Sequence, residues 1–110
     1  MNRLTKTQIE ELRCFDAPTI CNAIEFFGLT PWTKGYVLPG LEQRTGAKKT
    51  MIGYAATGKI LSSKPSDNPE IFMDYLQYIR DSDDPTVVVI QDMDKEPVAT
   101  FWGDVNASTH

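Results

Sequence analysis

Five β-branched residues in succession, Thr86-Val87-Val88-Val89-Ile90, restrict this chain more than any other stretch. Such side chains lose rotamer freedom in a helix and pack well on a pleated sheet, so the run is read as a strand. It shows no alternation of apolar and polar residues. That predicts cover on both faces and a central, buried place in the sheet, with Ile20, Ile24 and Phe27 in the same core. Asp92-Met93-Asp94-Lys95-Glu96-Pro97 then carries turn chemistry, its Asp side chains able to bond nearby backbone and Pro97 closing the loop. Residues 98–101 are expected to return as a second strand, the two joined by a hairpin turn. Gly103-Asp104 follows, and Val105-Asn106-Ala107-Ser108 reads as the first turn of a helix. A helix start leaves several backbone N–H groups unpaired. Gly103 lets a ligand approach the backbone, and Asp104 suits a cap or a group that orders water. This strand-to-helix junction is therefore the first candidate site.

Upstream, Thr7-Gln8-Ile9-Glu10 fits a capping box, and Ile9 with Leu12 begins an apolar stripe, so a short first helix is expected. Asp16 is the N-cap of a second helix, with Pro18 in its first turn. Ile20, Ala23, Ile24 and Phe27 fall on one face, and Gly28 supplies the left-handed residue past the end. Residues 29–50 have no period, being broken by Pro31, Gly35, Pro39, Gly40 and Gly46. Trp32, Tyr36 and Leu38 give this long loop apolar anchors, so it is expected to be functional or packed on a neighbouring subunit. Residues 51–61 read as a strand in which Gly53 and Gly58 mark a bend or a close backbone approach. Asn68-Pro69-Glu70 opens a third helix, whose apolar face holds Ile71, Phe72, Tyr75, Leu76, Tyr78 and Ile79. One domain is expected over residues 1–110: helical to residue 28, a loop over 29–50, and an α/β core over 51–110.

Eleven basic against fifteen acidic residues give a net charge of −4. That balance offers no surface to track a phosphate backbone, so direct nucleic-acid binding is excluded from the expectations. No apolar run reaches membrane-spanning length, and the first residues lack the apolar centre of a signal peptide. A cytoplasmic location is expected, without a membrane partner. Cys14 and Cys21 stand seven apart, neither a CxxC nor a zinc spacing, and read as free thiols. His110 is the single histidine and lies last, which argues against a catalytic dyad. Asp81, Asp83 and Asp84 read as a solvated acidic turn rather than a metal loop. No P-loop, GxGxxG, GxSxG or EF-hand spacing occurs in the sequence.

Four segments in order carry a resemblance: Phe15-Asp16-Ala17-Pro18-Thr19-Ile20-Cys21-Asn22-Ala23, Met51-Ile52-Gly53-Tyr54-Ala55-Ala56-Thr57, Val87-Val88-Val89-Ile90-Gln91-Asp92 and Ala99-Thr100-Phe101-Trp102-Gly103-Asp104. Together they resemble the RraA-like family, from about Leu12 to the last residue. Two positions depart from its pattern: Asn22 stands where Asp is common, and Asp84-Pro85 precedes the central strand in place of Gly. The family includes the regulator of RNase E activity and the 4-hydroxy-4-methyl-2-oxoglutarate aldolases, which also decarboxylate oxaloacetate. The resemblance implies a swivelling α/β/α sandwich, assembled as trimers or pairs of trimers, with sites between subunits. It implies a keto-acid ligand such as pyruvate or oxaloacetate, whose carboxylate is held by amides mapping to Val105 and Asn106, with Gly103 also in the substrate-binding set. It also implies a divalent metal, Mg2+ or Mn2+, whose waters Asp104 helps to order as the catalytic residue in this stretch.

In that family an Arg-Asp pair one helix and one strand further on supplies the metal ligand and the second grip on the substrate. One helix, one strand and their loops take roughly twenty residues, which puts the pair past His110 and leaves no direct metal ligand in these residues. The expectation is thus the N-terminal part of an RraA-like domain, a fragment of a metal-dependent lyase. The alternative is a non-catalytic interaction protein of the RNase E-inhibitor type, using an acidic surface and oligomeric form to engage a partner.

Overall fold

A computed structural model describes residues 3–35, 40–44, 46, 48–97 and 99–110. The chain divides into two compact units, Met1–Ile52 and Gly53–His110. Tyr36 and Leu38, expected as loop anchors, and Val98, expected to begin the return strand, lie outside the described residues.

The first unit holds α1, Lys6–Leu12, and α2, Ala17–Glu25. The capping box that opens α1 is Thr5 with Gln8, not Thr7 with Glu10. The Gln8 amide donates to Thr5 Oγ1 at 3.2 Å, and the Thr5 amide donates to Gln8 Oε1 at 2.8 Å. This register puts Leu4 and Ile9 at the two positions of a hydrophobic staple, and Ile9 is buried. Asp16 caps α2 as expected, its Oδ1 accepting from the Thr19 amide at 2.8 Å with Pro18 in the first turn. Gly28 beyond its end has φ +60°, the left-handed conformation that favours glycine. The described residues of 29–50 form no helix or strand. The apolar stripe of α2 does not reach a core: Ile24 is exposed, and Phe27 is 73% exposed.

The second unit runs β1, Tyr54–Ile60; α3, Ile71–Arg80; β2, Thr86–Asp92; and α4, Asp104–Thr109. β1 and β2 pair in parallel over their full length, from Tyr54 opposite Thr86 to Ile60 opposite Asp92. Parallel neighbours need a crossover, and α3 with its loops provides it. The described residues thus combine helices with a small parallel sheet, an α/β arrangement. The Tyr54 amide donates to Pro85 O at 2.7 Å and opens the ladder. At Gly53 the backbone approaches the start of β2 closely: a Cβ there would lie 2.5 Å from Pro85 O and 2.9 Å from Val87 Cγ2. The expected close approach is therefore present.

One face of the sheet carries Ala56, Gly58, Ile60, Val88 and Ile90. α3 lies against it, since a Cβ on Gly58 would meet Ile90 Cδ1 at 3.0 Å and Tyr75 Cε2 at 3.9 Å. Ala56 is 1% exposed. On α3, Tyr78 Oη accepts from the Thr57 amide at 3.2 Å, engaging an edge of β1 that β2 does not reach. The opposite face, with Ala55, Thr57, Lys59, Val89 and Gln91, is open, and Val89 is 50% exposed. The expectation of a central strand covered on both faces is corrected here. The β-branched run sets the strand, but only one of its faces meets a second layer among the described residues.

The expected hairpin is corrected too. After β2 the Met93 amide donates to Ile60 O at 2.9 Å as the last rung of the parallel ladder, and among the described residues no strand turns back along β2. Residues 99–101 form no strand.

Candidate functional site

Gly103 is the N-cap of α4 in extended backbone, φ −147° and ψ −175°, and no side chain caps the helix. The amides of Asp104, Val105 and Asn106 belong to the first turn, which has no internal partner for them. Asp104 and Val105 are exposed. Asn106 is half-buried, and its Nδ2 donates to Phe101 O, which ties the first turn back to the segment that enters it. The four expected site residues thus sit together on one exposed turn. Asp104 presents a carboxylate beside amide donors.

The end of α4 is held by aromatic contact. His110 Nε2 lies 2.8 Å from Tyr75 Oη, and its Nδ1 lies 2.6 Å from Asn106 O. The Tyr75 and Phe101 rings meet edge to face at 5.6 Å between centroids, and the Trp102 ring lies 5.0 Å from that of His110. Such pairs stabilise beyond their buried area. They orient α4 against α3, and burial pushes the Tyr75 hydroxyl pKa above its ordinary value. His110 therefore has a structural place that its position in the sequence did not suggest.

Asp94 joins the ends of the two strands. Its Oδ2 accepts from the Ser62 amide at 2.7 Å and from the Ser63 amide at 3.2 Å. Its own amide donates to Asp92 Oδ1 at 2.9 Å. Hydrogen bonding from the Ser63 side chain holds the Asp94 carboxyl below its ordinary value; desolvation opposes it, and the Ser62 and Ser63 amides add smaller effects in the lowering direction. Neither acid shapes a hairpin; both shape the connection past the carboxyl ends of β1 and β2.

Beside that connection opens a cleft of about 510 Å³. Ile60, Leu61, Ile71, Phe72, Tyr75 and Phe101 supply most of its wall, with Lys64 and Ser62 at the loop that Asp94 anchors. Crevices outside the carboxyl ends of parallel strands are where α/β sheets bind ligands. Gly103, Asp104, Val105 and Asn106 do not line it; Thr100 and Phe101, just before them, do. Residue-by-residue reading missed Lys64 and Ser62, and gave Asp94 only bonds to nearby backbone where its partners are the distant Ser62 and Ser63 amides. The order strand, loop, helix, strand was the available signal, because it implies a parallel pair with its loops at one end.

Among the described residues no group of three or more His, Cys, Asp or Glu side chains is placed to hold a metal ion. The donor set therefore does not fit a divalent cation held by these residues alone, and no chemical step is derived through one. No described helix is long and apolar enough to cross a membrane. Comparison with known proteins finds no matching family model, no matching curated protein and no matching solved structure.

Proposed function

We propose that this chain carries the carboxylate-holding part of a keto-acid lyase site of the RraA-like type, within a swivelling α/β/α fold. The observation that supports it best is the exposed turn at Gly103-Asp104. There an uncapped helix start presents the amides of Val105 and Asn106 beside an acid, after a parallel β–α–β unit. In this reading the two amides donate to the carboxylate of pyruvate or oxaloacetate. The Asp104 carboxylate orders water next to the bound acid, and the Asn106 side chain keeps the turn in register through Phe101 O. The arginines of the sequence, Arg3, Arg13, Arg44 and Arg80, all precede Asp104. A cation placed beside the enolate would offset its charge and supply several kcal/mol of transition-state stabilisation.

The test is oxaloacetate decarboxylation with Mg2+ or Mn2+. The 110 residues alone should give no turnover above the metal-catalysed background. Supplying the family's Arg-Asp segment, in cis or as a separate chain, should give turnover that Asp104→Ala lowers. Full activity from the 110 residues alone would refute this division of the site.

A second reading, a protein-interaction module, is favoured by one observation in the first unit. Phe26, Phe27, Leu29 and Trp32 are all more than two-thirds exposed, Phe26 at 92%. Contiguous exposed apolar surface marks interaction sites. Sedimentation velocity at micromolar concentration should show a trimer, a larger assembly or aggregation. A stable monomer would count against this reading.

A further inference from the structure

We infer that the cleft at the carboxyl ends of β1 and β2 is a binding site for a small organic acid with an apolar body. This site is separate from the Gly103-Asp104 turn and does not rest on the keto-acid reading. Its volume, about 510 Å³, lies within the usual range for small-molecule pockets of roughly 300–1,000 Å³. Its apolar wall is unfinished. Leu61 is 45% exposed, Ile71 is 54% exposed and Phe72 is 38% exposed, although all three line one concavity. An aromatic or branched aliphatic body would cover them.

The head group follows from charge. In a chain of net charge −4, no acidic side chain lines this cleft, while Lys59 and Lys64 do. Lys59 alternates onto the open face of the sheet, where it lines a second cavity with Thr57, Val89 and Gln91. Lys64 is therefore the cation assigned to the ligand, with Ser62 lining the same rim. The hydroxyl of Ser66 is already committed to the backbone of Asn68 at 3.0 and 3.1 Å, and Tyr75 Oη is engaged by His110. The polar end of the cleft thus offers an ammonium and a serine to a carboxylate, and its far wall offers rings and aliphatics. Asp94 positions this rim through the Ser62 and Ser63 amides without lining the cleft.

Titration of the full chain, followed by amide NMR shifts, tests this with 3-phenylpropionate, its neutral counterpart 3-phenylpropanol, and pyruvate. Phenylpropionate should shift Leu61, Ser62, Lys64 and Phe72 saturably, and phenylpropanol should bind about tenfold more weakly, as expected for loss of one charge-assisted hydrogen bond. Lys64→Gln should remove that preference and Lys64→Arg should restore it; both lie on an exposed loop. Phe72→Ala should weaken acid and alcohol alike. Pyruvate, which lacks the apolar body, should leave the cleft resonances unmoved whatever it does at Asp104 to Asn106, and cleft shifts from pyruvate equal to those from phenylpropionate would overturn the assignment of the apolar wall. Equal binding of acid and alcohol, an unchanged preference in Lys64→Gln, or cleft resonances that shift with protein concentration alone would overturn the inference.

Discussion

Gly53→Ala probes the joint on which the parallel pair rests. The added Cβ would stand 2.5 Å from Pro85 O and 2.9 Å from Val87 Cγ2. The first contact is to backbone, which cannot rotate away, so the strand starts must part. Parting them strains or breaks the Tyr54 amide bond to Pro85 O, now 2.7 Å. Overpacking costs about 1–3 kcal/mol and a net hydrogen bond about 1 kcal/mol, so the loss should be about 2–4 kcal/mol. For a domain of this size that is a fall in Tm on the order of 10–20 °C. Gly103→Ala is the control, because nothing lies within 4 Å of a Cβ there and its backbone is extended. It should cost less than about 1 kcal/mol, the modest penalty of alanine for glycine at an N-cap, and so less than Gly53→Ala. Thermal and urea unfolding followed by circular dichroism measure both. If Gly53→Ala unfolds within 2 °C of the parent, on the order of the noise set by a few tenths of a kcal/mol, the close approach and the register built on it are wrong.

Val88 pairs with Ala56 on the face toward α3 and is half-buried. Val88→Asp should destabilise by about 2–4 kcal/mol in urea titration through a partly desolvated, unpaired carboxylate, whereas Val89→Asp on the open face should cost under about 1 kcal/mol. Asp94 is held ionised in the folded chain, its pKa below the ordinary 3.8. A depressed carboxyl contributes stability that is present above the unfolded pKa and is lost as pH falls through the folded one. Unfolding temperatures should therefore drop more steeply below pH 4 in the parent than in Asp94→Asn, which should already be less stable at pH 7. Parallel pH profiles would show that the serine amides do not hold this charge.

Local chemistry made much of the chain legible. Asp16, Pro18 and Gly28 each act through bonds within a few residues, and α2 lies where they put it. For the first helix the sequence was read as a box of Thr7 with Glu10, whereas the box that forms is Thr5 with Gln8. The choice between them turned on where Leu4 and Ile9 fall, which spacing to the next turn decides. Asn68 shows a smaller offset: its Oδ1 accepts from the Glu70 amide at 2.9 Å, but the helix begins only at Ile71. Residues 86–90 announced a strand, yet not its neighbour or its cover. Those depend on residues 54–60 pairing beside them and on α3 crossing one face, and the loop bonds from Ser62 and Ser63 to Asp94, thirty-one or thirty-two positions apart, are likewise contacts no local pattern reveals. The cleft was hidden for the same reason, because Lys64, Phe72 and Phe101 meet only once β1 and β2 run side by side. Gly103-Asp104 was legible as a helix start, and its freedom from a side-chain cap was not.

The central claim concerns the turn that opens α4, and oxalate tests it most directly. Oxalate is a stable mimic of the pyruvate enolate and carries the carboxylate that the Val105 and Asn106 amides are proposed to hold. Titrated into the 110-residue chain, with the amide resonances assigned, it should shift Asp104, Val105 and Asn106 saturably and leave α2 unmoved. Val105→Pro, which removes one of the two donors at a first-turn position that tolerates proline, should weaken the response several-fold. Saturable shifts confined to those amides, reduced in Val105→Pro, are the result predicted. A turn that does not respond to oxalate, while the chain remains folded, would contradict the claim.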